Sequence, residues 1–253
     1  MGLLVAVLAA GLLVTPGVAA ERGGFTIEPA GALDGAVITL DPGHNGANGA
    51  NPDEINQQVP IGNGETKECD TTGTETASGY AEHAYTLSVA KRLRRLLERA
   101  GAKVVMTRED DNGVGPCINE RARIGNRAGS DAALSIHADG GPPTGRGFHV
   151  IRPARTKGLT DDIYAASRKL AGRIRGAYER GTSIPPANYI GDDGIDVRSD
   201  LGGLRLSDVP KVFIETGNMR NAADAAKLES GRYRQRIAEA LFDGLSKFIL
   251  HAG

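Results

Sequence analysis

The chain has no tryptophan, and aromatic residues make up only 4% of it. A core built from it must therefore be aliphatic. Neither sign of charge is in excess: thirty Lys and Arg face thirty-one Asp and Glu, a formal net charge of -1. That excludes the basic footprint of a nucleic-acid-binding protein. There is no internal repeat, no long linker and no coiled-coil pattern, which leans to a monomer. No apolar run reaches the length needed to span a bilayer comfortably. With 253 residues, 40% of them hydrophobic, the chain suits one globular domain with a sizeable core.

Residues 1–20 carry no charge. A short apolar run over residues 3–14 is broken by Pro16, and Val18-Ala19-Ala20 offers small residues for cleavage before Glu21. This reads as a secretory signal peptide, with an uncleaved anchor as the other reading. Residues 21–253 are then the mature chain, without a membrane span and secreted or periplasmic. The two cysteines, Cys69 and Cys117, lie in Gly-, Pro- and Thr-rich sequence, and export permits a disulfide between them. A closed loop of about 49 residues would gain roughly 4 kcal/mol from chain entropy.

Apolar runs of strand type lie at residues 37–40, 103–107, 132–137, 147–151 and 212–215. Helical periodicity follows Gly79, with Val89, Leu93, Leu96, Leu97 and Ala100 on one face and Gly101 as the stop. A polar surface helix is expected over 118–128, and an apolar-striped helix over 160–178. Asn221 can cap a short helix, and a last helix over 232–250 has Ile237, Leu241, Phe242, Leu245, Phe248 and Ile249 as its stripe. Strands alternate with helices. The expected fold is α/β, one domain with a twisted, mostly parallel or mixed sheet and helices on both faces. The polar stretch over residues 41–78 is too long for a passive connection and is expected to be functional or partly ordered.

Three of these strands end in an ionisable group: residues 37–40 lead to His44, 132–136 to His137, and 212–214 to Glu215. The crevice beyond the carboxyl ends of strands is where α/β sheets bind ligands. Glu82 lies seven residues before Val89 and eleven before Leu93, on the inward face of its helix. A lone carboxylate there needs a cation or several donors, or serves the helix N-terminus. Two imidazoles and a carboxylate make the ligand set of a catalytic zinc with one position open. Such a metal acidifies water and polarises a carbonyl, leaving Glu215 as general base. No short motif such as H-E-x-x-H supports this, so spacing alone leaves it open.

Further residues form an ordered series. It runs Ile38-Thr39-Leu40-Asp41-Pro42-Gly43-His44, then Gly79-x-x-Glu82 with Leu87 and Ala90, then Val105-Met106-Thr107-Arg108, Glu120-Arg121 and Asn126. It continues with Leu134-Ser135-Ile136-His137-Ala138-Asp139, Gly147-Phe148, Val209 to Gly217, and Asn221. On these anchors the chain resembles, over residues 36–250, the zinc-dependent N-acetylmuramoyl-L-alanine amidases of the third amidase family. The resemblance implies that His44, Glu82 and His137 hold one zinc ion per chain and that Glu215 is the base. The implied substrate is peptidoglycan. The chain departs from the family pattern at Asn45 and at Asn218-Met219. The rivals are a zinc peptidase or deacetylase acting on another wall bond, and a non-catalytic wall-binding protein.

Of the other candidates, His83 points about 100° away from Glu82 on the helix and reads as a surface or neighbouring residue. His149 reads as structural or cleft-lining, and His251 as a helix-end residue. Arg205 reads equally as a residue binding a substrate carboxylate bidentately or as a solvated charge. Glu54, Glu65, Glu68 and Glu75, in the long loop, read as solvated. No second, wall-binding domain is expected after residue 250. Some relatives carry a helix that plugs the cleft after the last zinc histidine. Here Asp139 to Arg146 is too short and too rich in Gly and Pro for one, so no activator is expected, though the 45–78 loop remains a possible mobile lid.

Overall fold

The computed structural model describes residues 20–22, 25–27 and 29–251. The expected leader, all but Ala20, lies outside the described residues. The frame is a six-stranded sheet of β1 (Val37–Pro42), β2 (Lys103–Met106), β3 (Ala132–Asp139), β4 (His149–Pro153), β5 (Ile195–Arg198) and β6 (Lys211–Asn218). Its spatial order is β2-β1-β3-β6-β4-β5. The run from β2 to β6 is parallel, and β4 joins β6 antiparallel with β5 parallel beside it. This is the mixed, mostly parallel sheet expected from the alternation of strands and helices.

The two faces of this sheet differ in chemistry, because strand side chains alternate with period two. Ile38, Leu40, Leu134, Ile136, Ala138, Val212 and Ile214 lie in one apolar core. Over it pack α1 (Glu82–Arg99), α3 (Tyr164–Thr182) and α6 (Gly231–Leu250). Helix α1 contributes Tyr85, Val89, Leu93 and Leu97, spaced at four residues, and α6 contributes Ile237, Leu241, Leu245 and Phe248. Helices α3 and α6 touch closely at Gly244, where a Cβ would come within 2.9 Å of the Ile174 backbone. The expected bounds of α3 were four residues early at both ends, since residues 157–163 form turns before the helix starts.

The intervening strand positions carry Thr39, Asp41, Ser135, His137, Lys211, Phe213 and Glu215. This polar face is covered by α2 (Ile118–Ala128), by α4 (Gly202–Arg205) and by the chain between β1 and α1. Helix α5 (Ala222–Glu229) follows β6, with the Asn221 side chain accepting from the backbone N–H groups of Ala223 and Asp224, as its N-cap position predicts.

The long polar stretch is built, not merely connecting. It holds a one-turn 3₁₀ segment (Asn48–Ala50), a short helix (Pro52–Ile55) and a hairpin of Gln58–Pro60 with Thr66–Glu68. Ile55, Ile61, Cys69 and Asp70 are buried in it. A disulfide joins Cys69 to Cys117, and the Ile118 N–H donates to the Cys69 carbonyl at 2.8 Å. The stretch is thereby fastened to the start of α2.

Candidate metal centre

The turn after β1 brings His44 to the carboxyl edge of the sheet. His44 has φ 59°, the left-handed region that costs a non-glycine residue roughly 1–2 kcal/mol. Buried arginines hold the turn in place. The Pro42 carbonyl accepts from Arg108 Nε at 3.0 Å and Arg121 Nη1 at 2.8 Å, and the His44 carbonyl from Arg121 Nη2 at 3.1 Å. The Gly43 carbonyl accepts from Thr86 Oγ1 at 2.9 Å. Gly43 itself has no room for a side chain: a Cβ would stand 2.1 Å from the His137 ring. The two imidazoles meet edge to face, with centroids 4.9 Å apart.

Glu82 is the first residue of α1 and is buried. Its Oε2 lies 3.2 Å from His44 Nε2, and its Oε1 lies 3.0 Å from His137 Nδ1. Backbone N–H groups hold the carboxylate from both sides, Thr74 to Oε2 at 3.0 Å and Ala138 to Oε1 at 3.1 Å. Ligand atoms of His44, Glu82 and His137 all fall within 4.8 Å of one another. Thus the structure brings together three residues far apart in the chain. Placed so, the three could hold a cation.

The electrostatics agree. Burial works against a charged His44, but the Glu82 and Asp70 carboxylates outweigh it and raise its pKa to about 10. Burial likewise works against an ionised Glu82, yet His44 and His137 hold its pKa well below the usual range. The Glu82 and Asp70 carboxylates thus favour positive charge at this point of the site. Two nitrogens and one oxygen match zinc better than the all-oxygen sets of Mg²⁺ or Ca²⁺.

Glu215 follows from the same face. It is in register with His137 on β3 and with His149 on β4. Its Oε2 is shut off from solvent and has no hydrogen-bond partner. Burial first, then the charges of Glu82 and Asp139, push its pKa well above the ordinary value. The cleft over these groups has a volume of about 300 Å³ and is bordered by residues 71–74 and 138–140. A second cavity of about 220 Å³ opens beside His44 and His137, with Phe213, Ile118 and Gly202 in its walls.

Other candidates fall elsewhere. Arg205 is buried, and its guanidinium is held bidentately by Glu65 at 2.7 and 2.9 Å and bonded to the Gly62 carbonyl. Its fork clamps the hairpin, so a substrate carboxylate would first have to displace Glu65. His83 turns away from the cradle, its Nδ1 2.6 Å from an Asp111 oxygen. His149 is buried with Nδ1 unpartnered, and burial lowers its pKa. His251 Nδ1 caps the Lys247 carbonyl at the end of α6. Glu54, Glu65, Glu68 and Glu75 are exposed. Asn218 and Met219 shape the fold: Asn218 Nδ2 bonds the Pro142 and Gly145 carbonyls at 2.8 Å, and Met219 is buried.

Sequence reasoning did not anticipate Asp70, Thr71 and Lys211 near the centre. Of these only Lys211 has a signal: with Thr39, Asp41 and Ser135 it interrupts strands that are otherwise apolar.

Fold and site together define an α/β protein with a candidate metal centre at the carboxyl edge of its parallel strands. A family model described as N-acetylmuramoyl-L-alanine amidase matches residues 38–247, and the chain belongs to that family. It is 44% identical over 221 residues to N-acetylmuramoyl-L-alanine amidase Rv3717 of Mycobacterium tuberculosis, covering 87% of this chain and 89% of that protein. Among solved structures it is similar to the amidase Ami1 of Mycobacterium smegmatis. The TM-score is 0.80 at 43% identity, covering 86% of this chain and 98% of the other. Similarity to apo Ami1 of Mycobacterium abscessus gives a TM-score of 0.79 at 42% identity, covering 85% and 99%.

Proposed function

We propose that the chain is a zinc-dependent amidase that hydrolyses the bond between N-acetylmuramic acid and L-alanine in peptidoglycan. One observation carries the reading: His44, Glu82 and His137 converge within 4.8 Å beside a carboxyl group, Glu215, that has an unpartnered oxygen. His44, Glu82 and His137 would hold the zinc. When bound, zinc supplies Lewis acidity toward the carbonyl oxygen and makes water more acidic.

Glu215 is the general base. Its raised pKa suits it to take the proton of the attacking water and release it again. It returns that proton to the amide nitrogen as the carbon–nitrogen bond breaks. The products are the free muramyl carboxylate and a peptide with a new L-alanine amino terminus. Glu82, fixed by two backbone donors, keeps its charge in the cradle and does not compete for the proton.

The substrate lies outside the cytoplasmic membrane, and the enzyme is accordingly secreted or periplasmic. Among the described residues no helix is long and apolar enough to cross a membrane. The enzyme is taken to act without an activator, a reading supported by residues 140–146, which form a short Gly- and Pro-rich turn and not a helix. The test is a digest of purified muropeptides with the zinc-loaded chain alone, followed by mass spectrometry. Intact disaccharide and peptides with free N-terminal L-alanine are expected. Cleavage within the peptide, loss of acetate, or activity only after a partner is added would each contradict the proposal.

A further inference from the structure

The polar face of the sheet carries a row of buried charges of alternating sign, and the row ends on His44. Lys211 Nζ lies 3.1 Å from Asp41 Oδ2, and Asp41 Oδ1 lies 3.1 Å from Arg121 Nη1. Arg121 Nη2 lies 3.0 Å from Asp70 Oδ2. Asp70 Oδ1 lies 3.4 Å from His44 Nδ1. All five side chains are buried. Four buried charges are costly to assemble, and the fold of the sheet alone does not call for them.

The oxygens around His44 Nδ1 come from two consecutive residues. They are the Thr71 carbonyl at 3.0 Å, Thr71 Oγ1 at 3.2 Å and Asp70 Oδ1 at 3.4 Å. Asp70 also sets where Thr71 stands, because its Oδ1 accepts the Thr71 N–H at 2.8 Å. Through its other oxygen it shares Arg121 with the His44 carbonyl. One guanidinium thus fixes the backbone of His44 and the carboxylate beside its ring. The disulfide reinforces the arrangement, since Cys69 precedes Asp70 and Cys117 is the N-cap of the helix that carries Arg121.

We propose that Asp70 is the positioning residue of the metal centre. With Thr71 it forms an oxygen cradle that keeps the His44 proton on Nδ1 and turns Nε2 toward Glu82 and His137. The inference rests on the metal-site reading above. A ring that ligates through Nε2 carries its proton on Nδ1, and an acceptor there fixes both tautomer and orientation. The nearest acceptor is the Thr71 carbonyl, so the Asp70 carboxylate acts both through that carbonyl and by its own negative charge. A carboxylate whose only task was to anchor the loop would need Arg121 and the Thr71 N–H, and would not need to face the imidazole.

The experiment measures zinc affinity by chelator competition for the wild-type chain, Asp70→Asn and Asp70→Ala. It also records nitrogen-15 histidine spectra of the zinc-loaded wild type. Loss of a partner behind a ligating histidine costs about 10–100-fold in metal affinity, and a weakening of that size is expected in both variants. At saturating zinc, kcat should fall with KM unchanged. The wild-type spectrum should show a protonated, slowly exchanging Nδ1 on His44. That readout stands even if neither variant folds. Variants that fold and bind zinc within twofold of wild type would overturn the proposal, as would a wild-type His44 with no proton on Nδ1. Absence of zinc binding in the wild type would instead remove the metal-site reading and this inference with it.

Discussion

Glu215 and Glu82 are carboxylates on one wall of the cleft, and their surroundings push them in opposite directions. Glu82 meets two imidazoles and two backbone N–H groups, and stays ionised. Glu215 has burial and two acidic neighbours, and holds a proton more readily. Environments that divide two carboxyl groups in this way fit the separate roles proposed for them. Replacing Glu215 by Gln preserves shape and removes proton acceptance. Turnover on muropeptides should fall by about 10²–10⁴-fold, with zinc content unchanged. Near-normal turnover in that variant would mean that another group is the base. Residue types at strand ends singled out His44, His137 and Glu215 as candidates and helical offset singled out Glu82, while the metal reading of the set came from the family resemblance. Asp70 was not legible, because its partner His44 lies at the other end of most of the long polar stretch, and nothing local in the sequence signals that the two meet. Arg205 was misleading in the opposite way. Its charge was visible, but the Glu65 that occupies it belongs to a hairpin with no apolar pattern.

The element that couples fold to site is the segment between β1 and α1. Its ordered core is small, and its attachment to α2 is covalent. Removing the bond by Cys69→Ser with Cys117→Ser should lower stability by up to about 4 kcal/mol on the chain-entropy account. Urea unfolding of the oxidised wild type against the double variant reads this directly, and equal midpoints would show that the loop holds itself in place. The long elements were legible: α1, α2 and α6 have clear caps or stripes, and Asn221 announced α5. The Gln58–Pro60/Thr66–Glu68 hairpin, β5 and α4 were not. Each has three or four residues, too few for a period to show, and turn geometry and tertiary contacts fix them instead.

At the scale of the whole molecule, the sheet divides its labour by face: one face is an aliphatic core and the other a charged scaffold for the centre. Asp41 sits in the middle of that scaffold. Burial opposes its charge, but Lys211 and then Arg121 outweigh it, with Thr107 donating as well, and hold its pKa far below the usual range. An acid depressed in the folded state contributes stability above its unfolded pKa and loses it as pH falls toward the folded value. In acid the unfolded chain takes up a proton that folded Asp41 refuses. Stability should therefore decline below the ordinary carboxylate range. Asp41→Asn should be about 3–5 kcal/mol less stable at neutral pH, because it strands Lys211 and Arg121 without a counter-charge, and its acid decline should be shallower. Urea titrations at several pH values measure both, and parallel acid profiles for the two proteins would show that Asp41 does not set the limb.

In the proposed centre one zinc ion is held by His44, Glu82 and His137, with Glu215 outside the ligand set. The most direct test is the zinc content per chain of the purified wild type, His44→Ala, His137→Ala and Glu215→Gln, determined by elemental mass spectrometry on folded protein. One zinc is expected in the wild type and in Glu215→Gln, and none in either histidine variant. Full zinc in either histidine variant, or none in the wild type, would contradict it.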